Sequence, residues 1–184
     1  MLLDIGLGIL ISLGLAKELF FPLTNTFVLW GIVFSLLPDI DFIFHAFQGR
    51  LKNHDHKHRE GLHYPILFLI IGLIISFYSL PHGLLFLLCT MAHFVHDSIG
   101  IGWGIQWFYP ISKNYYIFFY HYSLSAIGHL PNKVLRILTP QEKEIWEQKY
   151  ADNNWFRNVY LKFHPYAIIE LVVFLVAVVV WVLF

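Results

Sequence analysis

Three short stretches carry residue types that bind cations. Leu37-Pro38-Asp39-Ile40-Asp41 places two carboxylates two apart, and His93-Phe94-Val95-His96-Asp97 places a histidine and an aspartate four apart. Between them runs His54-Asp55-His56-Lys57-His58-Arg59-Glu60-Gly61-Leu62-His63. Helix residues four apart share a face, so His93 and Asp97 offer an imidazole and a carboxylate to one ion. Pro38 weakens helical hydrogen bonding and suits a helix end from which Asp39 and Asp41 both reach a metal. His58 and His63 fit a loop entering a helix. Imidazole nitrogen combined with carboxylate oxygen favours zinc, then manganese or iron, over calcium or magnesium. The candidate ligands are Asp39, Asp41, His58, His63, His93 and Asp97, holding one or two divalent ions. Six donors exceed what one catalytic zinc takes, which points to two ions or to supporting roles for some of them.

Simpler roles compete. Asp39 would serve as a cap, and Asp41 would pair with Arg59. The cost of ionisable groups at membrane depth weighs against coincidence for all six. His45, His82, His121, His129 and His164 read as packed, hydrogen-bonded residues, and His54 and His56 as loop residues.

Membrane depth is expected because of the composition. Of 184 residues, 58% are hydrophobic and 13% charged, against about 45–50% and 25% in soluble domains. Twelve Lys and Arg cancel twelve Asp and Glu, so no basic surface for nucleic acid is implied. The lone Cys89 excludes an internal disulfide framework. A spanning helix takes about 20 apolar residues. Segments 20–37 and 64–80 carry no charge, 83–92 continues helically to about 99, and 166–184 is apolar except for Glu170. Segment 2–16 is shorter and holds Asp4, and is read as spanning. A signal peptide is rejected because Lys17 follows the apolar run instead of preceding it.

The expected fold is all-α: a polytopic membrane bundle of four or five transmembrane helices with a cytoplasmic interfacial segment. Eleven of the twelve basic residues fall in the two connections on one side of this bundle, and the positive-inside rule makes that side cytoplasmic. All three chemical clusters then meet at that face. Residues 103–122 hold ten aromatics and read as an interfacial or re-entrant segment. Thr139-Pro140-Gln141-Glu142 carries a capping box with proline at the first helical position, which predicts a helix over 140–151. The expected organisation is a core over 1–110, an interfacial cytoplasmic region over 111–163 and a terminal helix over 164–184.

These motifs resemble the YdjM-like, LexA-binding, inner-membrane-associated metal-dependent hydrolases. That family's elements are Leu-Pro-Asp-x-Asp, then His-Arg followed by a second His, then His-x-x-x-Asp with a Gly-containing stretch ending in Pro. Here they read as residues 37–41, as His58-Arg59 with His63, and as His93 to Asp97 through Gly102 to Pro110. The resemblance covers about residues 1–110. Glu60 and Leu62 replace the family's usual Gly and Thr, and Gly100 replaces a common Thr. The ligands are kept, while hydroxyls that would touch substrate are missing. His-x-x-x-Asp also resembles part of zinc-dependent phospholipase C sites, which turns the substrate expectation toward phosphoester lipids.

The resemblance implies a metal-dependent hydrolase in the cytoplasmic (inner) membrane of a prokaryote, with its site facing the cytoplasm. Glu60, or a carboxylate not used on the metal, is the candidate proton acceptor, and Arg59 the candidate phosphate holder. Membrane lipid is the expected surroundings and a lipid-like molecule the expected substrate, with the aromatic stretch as its entrance. The alternative is a non-enzymatic, metal-stabilised regulator or scaffold with a protein partner that the sequence does not identify. A lipid phosphatase with a histidine nucleophile would also need Ser-Gly-His, which the chain lacks. A transporter would place its site at the midplane between inverted repeats.

Overall fold

The computed structural model describes residues 1–40, 62–99, 103–120, 133–150 and 157–184. Asp41, His58, Arg59 and Glu60 lie outside the described residues, as do His45, His54, His56, His121 and His129.

The described chain is mostly helical. Helix α1 spans Leu2–Glu18 and α2 spans Asn25–Leu36. The second segment is shorter than the apolar run suggests, because Thr24 caps α2 by accepting from the Phe27 N–H at 3.1 Å. A 3₁₀ turn, Leu37–Asp39, follows α2 with Pro38 in its first positions. Proline removes the N–H that would continue the α-helical ladder. Helix α3 runs Pro65–Tyr78 and α4 runs Leu80–Ser98, with only Ser79 between them. Helix α5, Pro140–Tyr150, begins with the anticipated capping box. The Thr139 N–H donates to Glu142 Oε2 at 2.8 Å, and the Glu142 N–H donates back to Thr139 Oγ1 at 3.3 Å. After a π-helical turn at Arg157–Leu161, α6 runs Pro165–Leu183.

The mostly helical structure agrees with the all-α expectation, with one small two-stranded sheet added among the described residues. Strand β1, Tyr115–Tyr120, pairs antiparallel with β2, Lys133–Leu138. The reason is local: Tyr-Tyr-Ile-Phe-Phe-Tyr and Lys-Val-Leu-Arg-Ile-Leu are rich in aromatic and β-branched residues that fit a pleated surface. Alternation puts Tyr115 and Ile117 on one face, where they pack with Leu138 and with Trp146 of α5. Part of the aromatic stretch is therefore a strand.

Helix α1 is the hub, packing against α2, α4 and α6, while α3 packs on α4. Small residues let α1 and α2 approach. A Cβ on Gly31 would meet the Gly8 carbonyl and Ser12 Oγ, so the two helices touch backbone to backbone. Ile9, Leu13, Val28 and Ala177 form one core, and Phe68, Phe86, Phe94 and Ile105 form another. The outer surface is apolar, with Leu69, Ile70, Leu73, Ile74 and Phe77 of α3 and Val172, Val176 and Val179 of α6 exposed. Among the described residues, α6 is the one helix long and apolar enough to cross a membrane by length and composition; α3, and α2 with its turn, are apolar but shorter.

Candidate metal centre

The site forms where several element ends meet. Asp39 closes the 3₁₀ turn after α2. His63 stands two residues before Pro65, the first residue of α3, with Tyr64 held extended at φ −114° and ψ 94°. His93 and Asp97 lie one turn apart near the end of α4. Packing joins these ends although Asp39 and Asp97 are far apart in sequence. Both histidines are buried, at 0% and 1% exposure, and the aspartates nearly so, at 17% and 11%. Phe94, fully buried, sets its ring edge-on to both imidazoles at 6.1 and 6.0 Å between centroids.

Four donor atoms surround a common point. His63 Nε2 lies 3.5 Å from Asp39 Oδ1 and 3.1 Å from Asp97 Oδ2. His93 Nε2 lies 3.6 and 3.5 Å from the same two oxygens. All four donor residues offer atoms within 4.8 Å of one another. Tetrahedral donors bound at about 2.0–2.2 Å stand roughly 3.3–3.6 Å from their neighbours. The four histidine–aspartate separations lie near that spacing, and the quartet could hold a metal ion.

The orientation of His93 is compatible with that arrangement. Its Nδ1 is 2.9 Å from the Ser35 carbonyl oxygen, and a carbonyl only accepts, so Nδ1 carries the proton. Nε2 faces Asp39 Oδ1 and Asp97 Oδ2 at 3.6 and 3.5 Å and makes no hydrogen bond among the described residues. Two anionic oxygens gathered against a buried imidazole need positive charge between them, which a divalent ion, or a proton on Nε2, would supply.

Of the six candidate ligands, the structure brings Asp39, His63, His93 and Asp97 together. Asp41 and His58, with the candidate catalytic pair Arg59 and Glu60, fall outside the described residues. His82 and His164 have the packing roles expected. His82 Nδ1 is 2.8 Å from Ser79 Oγ, and His164 accepts from the Tyr166 N–H at the start of α6.

Behind the centre lies a second layer that the sequence motifs did not reveal. Asp4, 1% exposed, sets Oδ1 3.4 Å from His93 Nδ1 and 3.0 Å from His96 Nδ1. Glu170 of α6 is also buried, with Oε1 accepting from the Tyr160 hydroxyl at 3.2 Å and lying 3.9 Å from His96 Nε2. The Met1 amine is 2.9 Å from Asp4 Oδ2 and 3.4 Å from Glu170 Oε2. A lone acidic residue inside an otherwise apolar segment was the available signal for both Asp4 and Glu170.

Aromatic residues flank the front. The Trp107 indole N–H donates to Ser98 Oγ at 2.8 Å, and the Tyr109 ring stacks on Tyr64 at 4.2 Å. The 103–110 stretch is thereby pinned to the residues beside Asp97 and His63.

A mostly helical chain with a lipid-compatible surface and a buried Asp/His cluster that could hold a metal ion defines the class: a helical membrane protein. The family described as YdjM inner membrane protein matches residues 4–184, and the chain belongs to it. The match runs well past residue 110, so the β-hairpin, α5 and α6 lie within the family's span and the resemblance is not confined to the first 110 residues. No curated protein and no solved structure matches the chain.

Proposed function

We propose that this protein is a multi-pass, metal-dependent membrane hydrolase acting on a lipid or phosphoester at the cytoplasmic face. The observation that carries the reading is the quartet of Asp39, His63, His93 and Asp97, whose neighbouring donors stand 3.1–3.6 Å apart. A divalent ion bound there would supply an acidified water and polarise a phosphoryl or carbonyl oxygen. Asp39 and Asp97 balance its charge, and the two buried imidazoles complete the donor set. Glu60 is the proposed proton acceptor and Arg59 the proposed holder of substrate phosphate. Trp107 and Tyr109 would form the wall against which an acyl chain lies.

Helix direction supports a multi-pass arrangement. The starts of α1, α3 and α6 and the ends of α2 and α4 carry Asp4, His63, Glu170, Asp39 and Asp97, and these residues share one polar region. Helices alternating in direction around one end fit four or five crossings. The basic residues concentrated in the connections at that end favour the cytoplasmic side.

The test is purification in mild detergent, metal analysis, and hydrolysis of a phosphoester lipid. The reading expects one or two zinc, manganese or iron ions per chain, with activity lost on chelation and in His93→Ala. Protein that holds no metal and rebinds none overturns it. One observation favours the alternative of a structural metal in a regulator or scaffold: four protein donors are enough to close a tetrahedral shell. Azide added to the cobalt-substituted protein separates the two. A shifted absorption spectrum marks an open position and favours the hydrolase; an unmoved one favours the structural ion.

A further inference from the structure

We propose that Asp4 is a positioning residue for metal capture, holding His93 from behind so that its Nε2 faces the other three donors. This rests on the metal reading above and extends it to an element that supplies no ligand. His93 Nδ1 is braced by two acceptors, the Ser35 carbonyl oxygen of α2 at 2.9 Å and Asp4 Oδ1 of α1 at 3.4 Å. The same Asp4 oxygen accepts from His96 Nδ1 at 3.0 Å. Asp4 thus bridges two imidazoles one turn apart on α4 through Oδ1, while its Oδ2 pairs with the Met1 amine at 2.9 Å. A carboxylate on the far nitrogen of a ligating imidazole fixes its tautomer and ring orientation and makes the ligand more basic. His96 in turn holds the carboxylate in place, and its Nε2 looks toward Glu170 of α6 at 3.9 Å. Helix α1 therefore reaches the centre through hydrogen bonds, and its contacts with α2 and α6 set how well His93 is aimed.

Cobalt and zinc titrations of the full chain in detergent test this, with wild type, Asp4→Asn and Asp4→Leu side by side. Loss of such a partner weakens metal binding about 10–100-fold. Asp4→Leu is expected in that range, with displaced cobalt absorption bands. Asp4→Asn keeps an acceptor oxygen but loses the charge, and is expected to fall between Asp4→Leu and wild type. Thermal unfolding in excess chelator reports the fold separately. Equal cobalt affinity and identical bands in all three proteins overturn the role of Asp4. A wild type that binds neither metal overturns the metal reading itself. If Asp4→Leu does not fold, Asp4→Asn decides alone: weaker binding with displaced bands supports the role, and wild-type binding overturns it.

Discussion

Gly31→Ala changes no ligand, yet it should damage the metal centre. A Cβ at Gly31 would sit 2.5 Å from the Gly8 carbonyl oxygen and overlap Ser12 Oγ, where ordinary contact begins at 3.4 Å. Relieving that overlap separates α1 from α2 by about 1 Å, an overpacking strain that costs about 1–3 kcal/mol. Ser35 lies one turn beyond Gly31 on α2, and Asp39 lies in the turn that continues it. Both would move relative to α4. Metal–ligand distances are held to about 0.2 Å, so a 1 Å shift exceeds the tolerance several-fold. The expected result is at least a tenfold loss of zinc affinity, about 1.4 kcal/mol, together with a lower unfolding temperature. Gly14→Ala is the control, because a Cβ there meets nothing within 4 Å. It should leave affinity unchanged and stabilise α1 by up to about 1 kcal/mol. Competition with a chromophoric chelator reads affinity, and thermal unfolding in the same detergent reads stability. Wild-type zinc affinity in Gly31→Ala would refute the argument that the α1–α2 contact sets the donor geometry.

Phe94→Ala removes a ring with 0% exposure that packs on Phe68 and both site histidines; a loss of about 3–5 kcal/mol is expected in chemical unfolding, with weaker zinc binding in the protein that still folds. Asp97→Asn should make thermal stability insensitive to chelator, whereas wild type at zinc 100-fold above its Kd should lose about 2.7 kcal/mol when the ion is stripped. At α5, the Thr139 N–H and hydroxyl hold the Glu142 carboxyl below the usual glutamate range. A depressed folded value means that this support is present at neutral pH and fades as pH falls through that value. Amide exchange at the start of α5 should therefore speed up in acid, and Thr139→Ala should be fast at neutral pH and show less of the acid effect.

Features with short-range causes are legible in the sequence. His93 and Asp97 are one helical turn apart, Pro38 ends α2 in a tight turn, and Thr139 with Glu142 starts α5. Each follows from helix geometry or from a missing N–H. Asp4 and Glu170 were legible only as oddities, because their partners come from packing: Asp4 reaches His96 across 92 positions, and the contact exists only because α1 sits among α2, α4 and α6. The β-hairpin was masked by its composition. Tyr116, Phe118 and Phe119 satisfy the preference for a membrane interface as well as the preference for a strand, and the pairing with Lys133–Leu138 breaks the tie. Apolar length also overstated α2, since the capping hydroxyl of Thr24 starts that helix only after residue 24.

The central claim is that Asp39, His63, His93 and Asp97 jointly hold one divalent ion. Anomalous X-ray scattering at the zinc edge, on crystals of protein purified without chelator, tests it most directly. The account predicts a peak enclosed by His63 Nε2, His93 Nε2, Asp39 Oδ1 and Asp97 Oδ2, at about 2.0–2.2 Å from each. Crystals soaked in zinc that show no peak there, with the two histidines hydrogen-bonded directly to the two aspartates, would contradict it.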